Sequence, residues 1–251
     1  MSKKRSIIVL IFALCFLFPA WVNGQISAPG SDATDKTSYP VFQETDDIFI
    51  FCLEDSLAGD GVLRATTQLS GTKTFLWEVY NNLTASFEFY FSESNDENFS
   101  EISGLADGGF RVTVTLGANS EIYRAWVFNN WTVADGFVDE SNCVSFNLNG
   151  NFTTATLNYY DLADNSELEV YKNVQVEWKD GEDVVASTLN PQIFNPPTKD
   201  TDYTLRVYDK FDCEGTTNVT YESIVTKAIF SVDPQNGEAP LIANFSNESE
   251  N

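Results

Sequence analysis

The side chains of this sequence that could do chemistry are 4 cysteines, 37 carboxylates and 5 tryptophans, and no histidine accompanies them. Without histidine, Ser-His-Asp and Cys-His catalysis and the usual zinc sites fall away. A carboxylate pair can hydrolyse glycosides, but with 37 acids in 251 residues two will lie close by chance. No glycine-rich loop follows a strand and opens a helix to cradle phosphate. The expectation is therefore a chain that is not an enzyme, with no catalytic and no cofactor-binding residue. Clustered carboxylates could bind a divalent cation, calcium first among them. Acids cluster at Asp46-Asp47, Asp96-Glu97, Asp180 to Asp183 and Asp200-Asp202, in stretches that read as loops. None has a calcium-ligand spacing, so solvated turns are the reading and no metal ligand is assigned.

Cys15 lies in an apolar run near the start, which leaves Cys52, Cys143 and Cys213. An odd count in an exported chain means one pair and a spare thiol, or no pair. Cys143–Cys213 brackets a single alternating stretch and is the preferred pair. Closing a loop of about 70 residues removes roughly 4 kcal/mol of unfolded-state entropy in the chain-entropy account. Cys52–Cys143, the second option, would tie two stretches together and leave Cys213 free.

The elements that position these groups are strands. Residues 1–24 are set apart from them: Lys3, Lys4 and Arg5 precede the apolar run Ile7 to Phe18, and Val22-Asn23-Gly24 offers a cleavage point. A run this short does not span a bilayer, and the pattern is that of a secretory signal peptide. Residues 25–40 are polar and read as a flexible leader. Beyond them, apolar side chains recur two apart, with turn residues every 8–15 positions, which implies antiparallel sandwiches. Ile48 to Leu53 is the first strand. Thr74 to Tyr80 puts Phe75, Trp77 and Val79 on one face. Phe87 to Phe91 is a short aromatic strand. Phe110 to Leu116 follows the turn Ala106-Asp107-Gly108-Gly109, and Glu121 to Phe128 closes the unit. Trp131 to Ser141 reads as a connection. A second unit opens at Cys143, with Val174, Val176 and Trp178 inward, an Asp180-Gly181 hairpin turn, and Tyr203 to Val207 after Pro196-Pro197. Trp77, Trp178, Phe110 and Tyr203 are the expected core anchors. Trp126 and Trp131, with Phe128, read as a contact between units; the alternative is an exposed strip that stacks sugars.

From Ala228 the text changes to AIFSVDPQNGEAPLIANFSNESEN. Its Asn236-Gly237, Ala239-Pro240-Leu241 and Phe245-Ser246-Asn247 spacing resembles the first strands of a PKD domain, an immunoglobulin-like sandwich. Two strands cannot close a sandwich, so the chain is expected to belong to a longer protein. The second unit resembles the Ig-like repeats of secreted and surface proteins of gliding or type IX-secreting Bacteroidetes. The likeness rests on Cys143, Trp178, Pro197 to Thr204, and Asp209-Lys210-Phe211-Asp212-Cys213, where Asp212 stands in place of the family's glycine. That family's pairing would also give Cys143–Cys213. The first unit matches in outline only, through Cys52 and Trp77.

The resulting fold expectation is all-β: tandem immunoglobulin-like sandwiches at 41–134 and 135–226, then the start of a PKD-like third at 227–251. The formal charge of −23 repels nucleic acid and anionic membranes. The functional expectation is a set of non-catalytic modules of a secreted or cell-surface protein, acting in adhesion or as spacers, with a glycan or protein ligand, no nucleic acid, and no membrane insertion of the mature chain. The alternative is the accessory front of a secreted polysaccharide- or protein-degrading enzyme. Seven Asn-x-Ser/Thr sites occur, among them Asn82, Asn98, Asn130 and Asn151, and in so Asn- and Thr-rich a chain they read as chance. Asp55-Ser56-Leu57 resembles the Bacteroidetes O-glycosylation signal.

Overall fold

The computed structural model describes residues 24–35, 47–54, 59–139, 142, 144–223, 230–233, 236–238, 240, 242 and 244–247. Residues 1–23 of the signal peptide, Cys143 and Asp55 to Leu57 lie outside the described residues. Every regular element described is a strand.

The first sandwich uses β1 (Gln25–Ser27), β2 (Ala33–Asp35), β3 (Asp47–Leu53), β4 (Gly61–Thr66), β5 (Lys73–Asn81), β6 (Ser86–Asn95), β7 (Phe99–Leu105), β8 (Gly108–Leu116) and β9 (Asn119–Asp139). One sheet has the order β1-β4-β7; facing it are β6-β5-β8-β9, with β3 parallel to β9 and β2 on β3. Alternation decides what each strand buries. Phe75 and Trp77 of β5, Phe110, Val112 and Val114 of β8, and Leu63 and Ala65 of β4 fill the space between the sheets. The Trp77 indole N–H donates to Ser100 Oγ at 2.9 Å, so the buried ring leaves no polar group unpaired.

The leader expectation for 25–40 is corrected over its described part. Gln25 to Ser27 pair antiparallel with Arg64 to Thr66, and Ala33 to Asp35 pair with Ile48 to Ile50. Each short strand covers an edge that would otherwise expose unpaired backbone groups.

The second sandwich comprises β10 (Ser145–Thr154), β11 (Asn158–Tyr160), β12 (Glu167–Glu169), β13 (Gln175–Asp180), β14 (Asp183–Ala186), β15 (Gln192–Phe194), β16 (Thr201–Tyr208) and β17 (Glu214–Tyr221). A four-stranded sheet β14-β13-β16-β17 packs over β15-β10-β9 around Phe146, Leu148, Trp178, Tyr203, Leu205 and Val207. Phe146 and Tyr221 rings lie 4.4 Å apart between centroids. Gly181, with φ of 58°, makes the β13–β14 turn that the Asp180-Gly181 pair announces. A hairpin of β18 (Phe230–Asp233) and β19 (Asn244–Asn247) follows.

The largest departure from expectation is β9. Residues 131–141 read as a connection, yet one strand runs unbroken from Asn119 to Asp139. Its first part pairs with β8 and β3, and Thr132 to Asp139 pair with β10. The boundary at 134/135 therefore falls inside a strand that both sandwiches use. On the far side, β17 approaches β9 so closely that a Cβ on Gly215 would sit 2.2 Å from the Thr132 carbonyl oxygen. Backbone cannot yield as a flexible side chain does, so Gly215→Ala is expected to destabilise by about 1–3 kcal/mol, as overpacking does. The denaturant midpoint reads this, and an unchanged midpoint would contradict the close approach.

Candidate functional site: the joint between the sandwiches

Neighbouring residues of β3 and β9 point to opposite faces, and here both faces are buried. Phe49, Phe51, Ala125 and Val127 enter the first core. Ile48, Ile50, Trp126 and Phe128 enter another, completed from the second sandwich by Leu157, Tyr159, Val170 and Phe211. This explains why the segment around Ile48 and Trp126 is apolar at consecutive positions rather than at alternate ones. Trp126 lies parallel to Phe128 and meets Tyr159 and Tyr80 edge-on, with centroids 6.5, 6.1 and 6.0 Å away. Gly109 leaves room for it: a Cβ there would fall 2.9 Å from the indole. Trp126 and Phe128 are thus the contact between units, and no exposed strip forms.

Cysteine pairing differs from the preferred expectation. Cys213 is bonded to Cys52, 161 residues away, and not to Cys143. The cause is tertiary. Parallel pairing places Cys52 beside Asn130 of β9. The turn after β16 folds back onto the same point, because Asp209 Oδ2 accepts from Asn130 Nδ2 at 2.6 Å while its Oδ1 accepts from the amides of Phe211 and Cys213 at 2.9 and 3.3 Å. Asp212 has a left-handed φ of 64°, a conformation that aspartate tolerates better than most residues.

Further polar contacts cross the joint. Lys210 Nζ meets the buried Asp35 carboxylate at 2.8 Å. Tyr80 donates to Asn165 Oδ1 at 2.8 Å, Asn165 Nδ2 to the Asn82 carbonyl at 2.9 Å, and Asn82 Nδ2 to the Tyr160 hydroxyl at 2.7 Å. Beside them opens a groove of about 280 Å³ with Tyr80, Asn82, Trp126, Asn158 and Tyr160 in its walls. Aromatic faces beside side-chain amides, with the Asp107 carboxylate also in the wall, suit a ligand with hydroxyl groups.

Inside the joint lies a buried polar cluster that sequence reading missed. Asn130, Lys172 and Asp209 are 0%, 7% and 3% exposed. Lys172 Nζ donates to Asn130 Oδ1 at 3.0 Å, to the Ala155 carbonyl at 2.5 Å, and to Thr154 Oγ1. Burial pushes the Lys172 ammonium below its ordinary pKa; the charges of Asp209 and Glu169 oppose that. Asn129 beside it bonds Asp107 Oδ1 through its backbone and side-chain nitrogens at 2.7 and 2.8 Å. The one signal in the sequence was Asn129-Asn130 interrupting the apolar run from Ala125 to Trp131. Full burial of Asn130 also excludes glycan attachment at that sequon in the folded chain.

The four expected core anchors, Trp77, Trp178, Phe110 and Tyr203, are all buried, in two different cores. Acids in two of the four clusters are bonded locally. Asp96 accepts from Thr72, Asp202 from Thr220 at 2.7 Å, and Asp200 from the Ser223 amide at 2.8 Å. The Ser223 bonds hold the Asp200 carboxyl below the usual range. Among the described residues, no three His, Cys, Asp or Glu side chains gather where a metal ion could be held. At the free edge of the first sandwich, β6 pairs with β5 alone and leaves Phe89 71% exposed.

No known family profile matches the chain, and no curated protein matches it. Solved structures similar to it include the three N-terminal domains of the bacteriophage RB49 Highly Immunogenic Outer Capsid protein, at 14% identity, 90% of this chain, 69% of that one and a TM-score of 0.34. Extracellular domains 3–5 of Drosophila OTK match at 7% identity, 68% and 59% coverage and 0.41. A titin I67–I69 variant matches at 9%, 68% and 62%, and 0.38. These likenesses are too distant to speak for function. The class is set by the sheets themselves: all-β, with immunoglobulin-like sandwiches in tandem.

Proposed function

We propose that the chain is an exported, non-catalytic protein, secreted or held at the cell surface, whose two sandwiches act as one stiff adhesive or spacing unit. The observation that carries this reading is the joint: a shared strand, a shared core and a disulfide leave no linker on which the halves could swing. A rigid body of this kind holds surface features at a fixed separation, which is what adhesion and spacing require. The ligand class is a glycan or a protein, and the tyrosine- and amide-walled groove at the joint is a surface that could meet it. The export signal at 1–24, the PKD-like opening at 228–251, and an origin among gliding or type IX-secreting Bacteroidetes belong to the same proposal and rest on sequence pattern. Reading the chain as the accessory front of a degrading enzyme has no structural observation in its favour.

Residual dipolar couplings measured on the full chain test the proposal. Couplings from β4–β8 and from β13–β17 are expected to fit a single alignment tensor. Two tensors of different magnitude would show independently tumbling halves and overturn the stiff-unit reading.

A further inference from the structure

We propose that Lys172 Nζ condenses with the side-chain amide of Asn130, with Asp209 carrying the proton, to form a permanent intramolecular amide cross-link inside the joint. Three groups that this reaction needs meet here from β9 and from the loops after β12 and β16. The nucleophile is the Lys172 amine, whose Nζ lies 3.0 Å from Asn130 Oδ1, so the carbonyl carbon is one bond further on. The electrophile is the Asn130 carboxamide, held in the middle of β9 and 0% exposed. The acid–base group is Asp209, whose Oδ2 sits 2.6 Å from Asn130 Nδ2, on the nitrogen that must leave. Asp209 is fixed in turn by the Phe211 amide on its other oxygen, so its aim is set before reaction.

The surroundings favour the step. The cluster adjoins the core formed by Phe128, Ala155, Val170, Phe211 and Cys213. Such a site disfavours the ammonium and so favours the neutral amine, whose lone pair attacks. It also keeps out the water that would hydrolyse the amide. The Nζ lone pair adds to Cγ of Asn130 and the carbonyl π pair moves to Oδ1. A proton then passes from Nζ to Asp209, and from Asp209 to Nδ2. The Cγ–Nδ2 bond breaks, the carbonyl re-forms, and ammonia leaves. One amine and one primary amide become one secondary amide and one ammonia, and Asp209 ends as it began. No oxidant, metal or cofactor takes part.

A structural reading competes with this: a buried lysine that merely uses its three donors on Asn130, Thr154 and Ala155. Intact-mass measurement of the purified full chain, after reduction of the disulfide, separates the two. The expected mass is one ammonia below that of the sequence. A full sequence mass overturns the proposal, and this readout needs no variant that must fold. Asparagine can also lose ammonia by cyclising on its own backbone, so the linkage is read directly as well. Trypsin is expected not to cut after Lys172, and fragment spectra to join Asn130 to Lys172. Lys172→Arg and Asp209→Asn are both expected to restore the full mass. An ammonia loss that persists in Lys172→Arg would overturn the proposal.

Discussion

Replacing Cys52 and Cys213 together by alanine is expected to lower the free energy of unfolding by about 5 kcal/mol. The bond closes a loop across 161 positions of sequence. In the chain-entropy account, cutting so long a loop returns about 5 kcal/mol of freedom to the unfolded chain, near the top of the observed range. Alanine is the right replacement because Cys213 is buried, and a serine hydroxyl there would add an unpaired polar group. Urea titration followed by tryptophan fluorescence reads the effect as a lower midpoint. Cys143→Ala, which leaves the bond intact, is the control. A loss below about 1 kcal/mol in the double variant would mean that the bond does not constrain the unfolded chain as this account requires.

Trp178→Ala carries the second large effect, and it reports on the other end of the molecule. The ring is fully buried among Phe146, Leu205 and Val207, and its N–H donates to the Leu189 carbonyl at 3.0 Å. Truncation leaves a cavity and costs about 3–5 kcal/mol. Trp178→Phe separates the causes. It retains most of the apolar volume and removes one of two donors to the Leu189 carbonyl, which keeps the Gly150 amide at 3.1 Å, for an expected loss of about 0.5–1.5 kcal/mol. Equal losses in the two variants would show that the hydrogen bond, not the volume, holds the second core together.

Much of this was legible wherever one strand faces one core. Phe75-Trp77, Phe110-Val112-Val114 and Tyr203-Leu205-Val207 announce their buried faces by spacing alone, and the structure buries them. The reading failed wherever a residue's partner was fixed by tertiary packing. β9 was cut into a strand and a connection because Asp135, Gly136 and Asp139 look like turn residues; in the structure they pair with β10, and Gly136 is bare because a Cβ would come within 3.0 Å of the Trp178 ring. Cysteine pairing failed for the same reason, since the parallel β3–β9 contact that brings Cys52 to the joint has no local signature. The leader was misjudged because three-residue strands take their stability from the edge they cover, not from their own apolar content. Asn130, Lys172 and Asp209 share no spacing rule, and only the misplaced polarity of Asn130 within β9 hints at them.

The uninterrupted β9 strand also bears on inheritance. Where repeats meet through a loop, recombination can copy, delete or transplant one of them as a cassette. Here the segment that pairs with β8 and β3 runs directly into the one that pairs with β10, so no connector lies between the two sandwiches for a break to fall in. The expected consequence is that the pair is inherited as one piece, with its internal seam a poor point for shuffling.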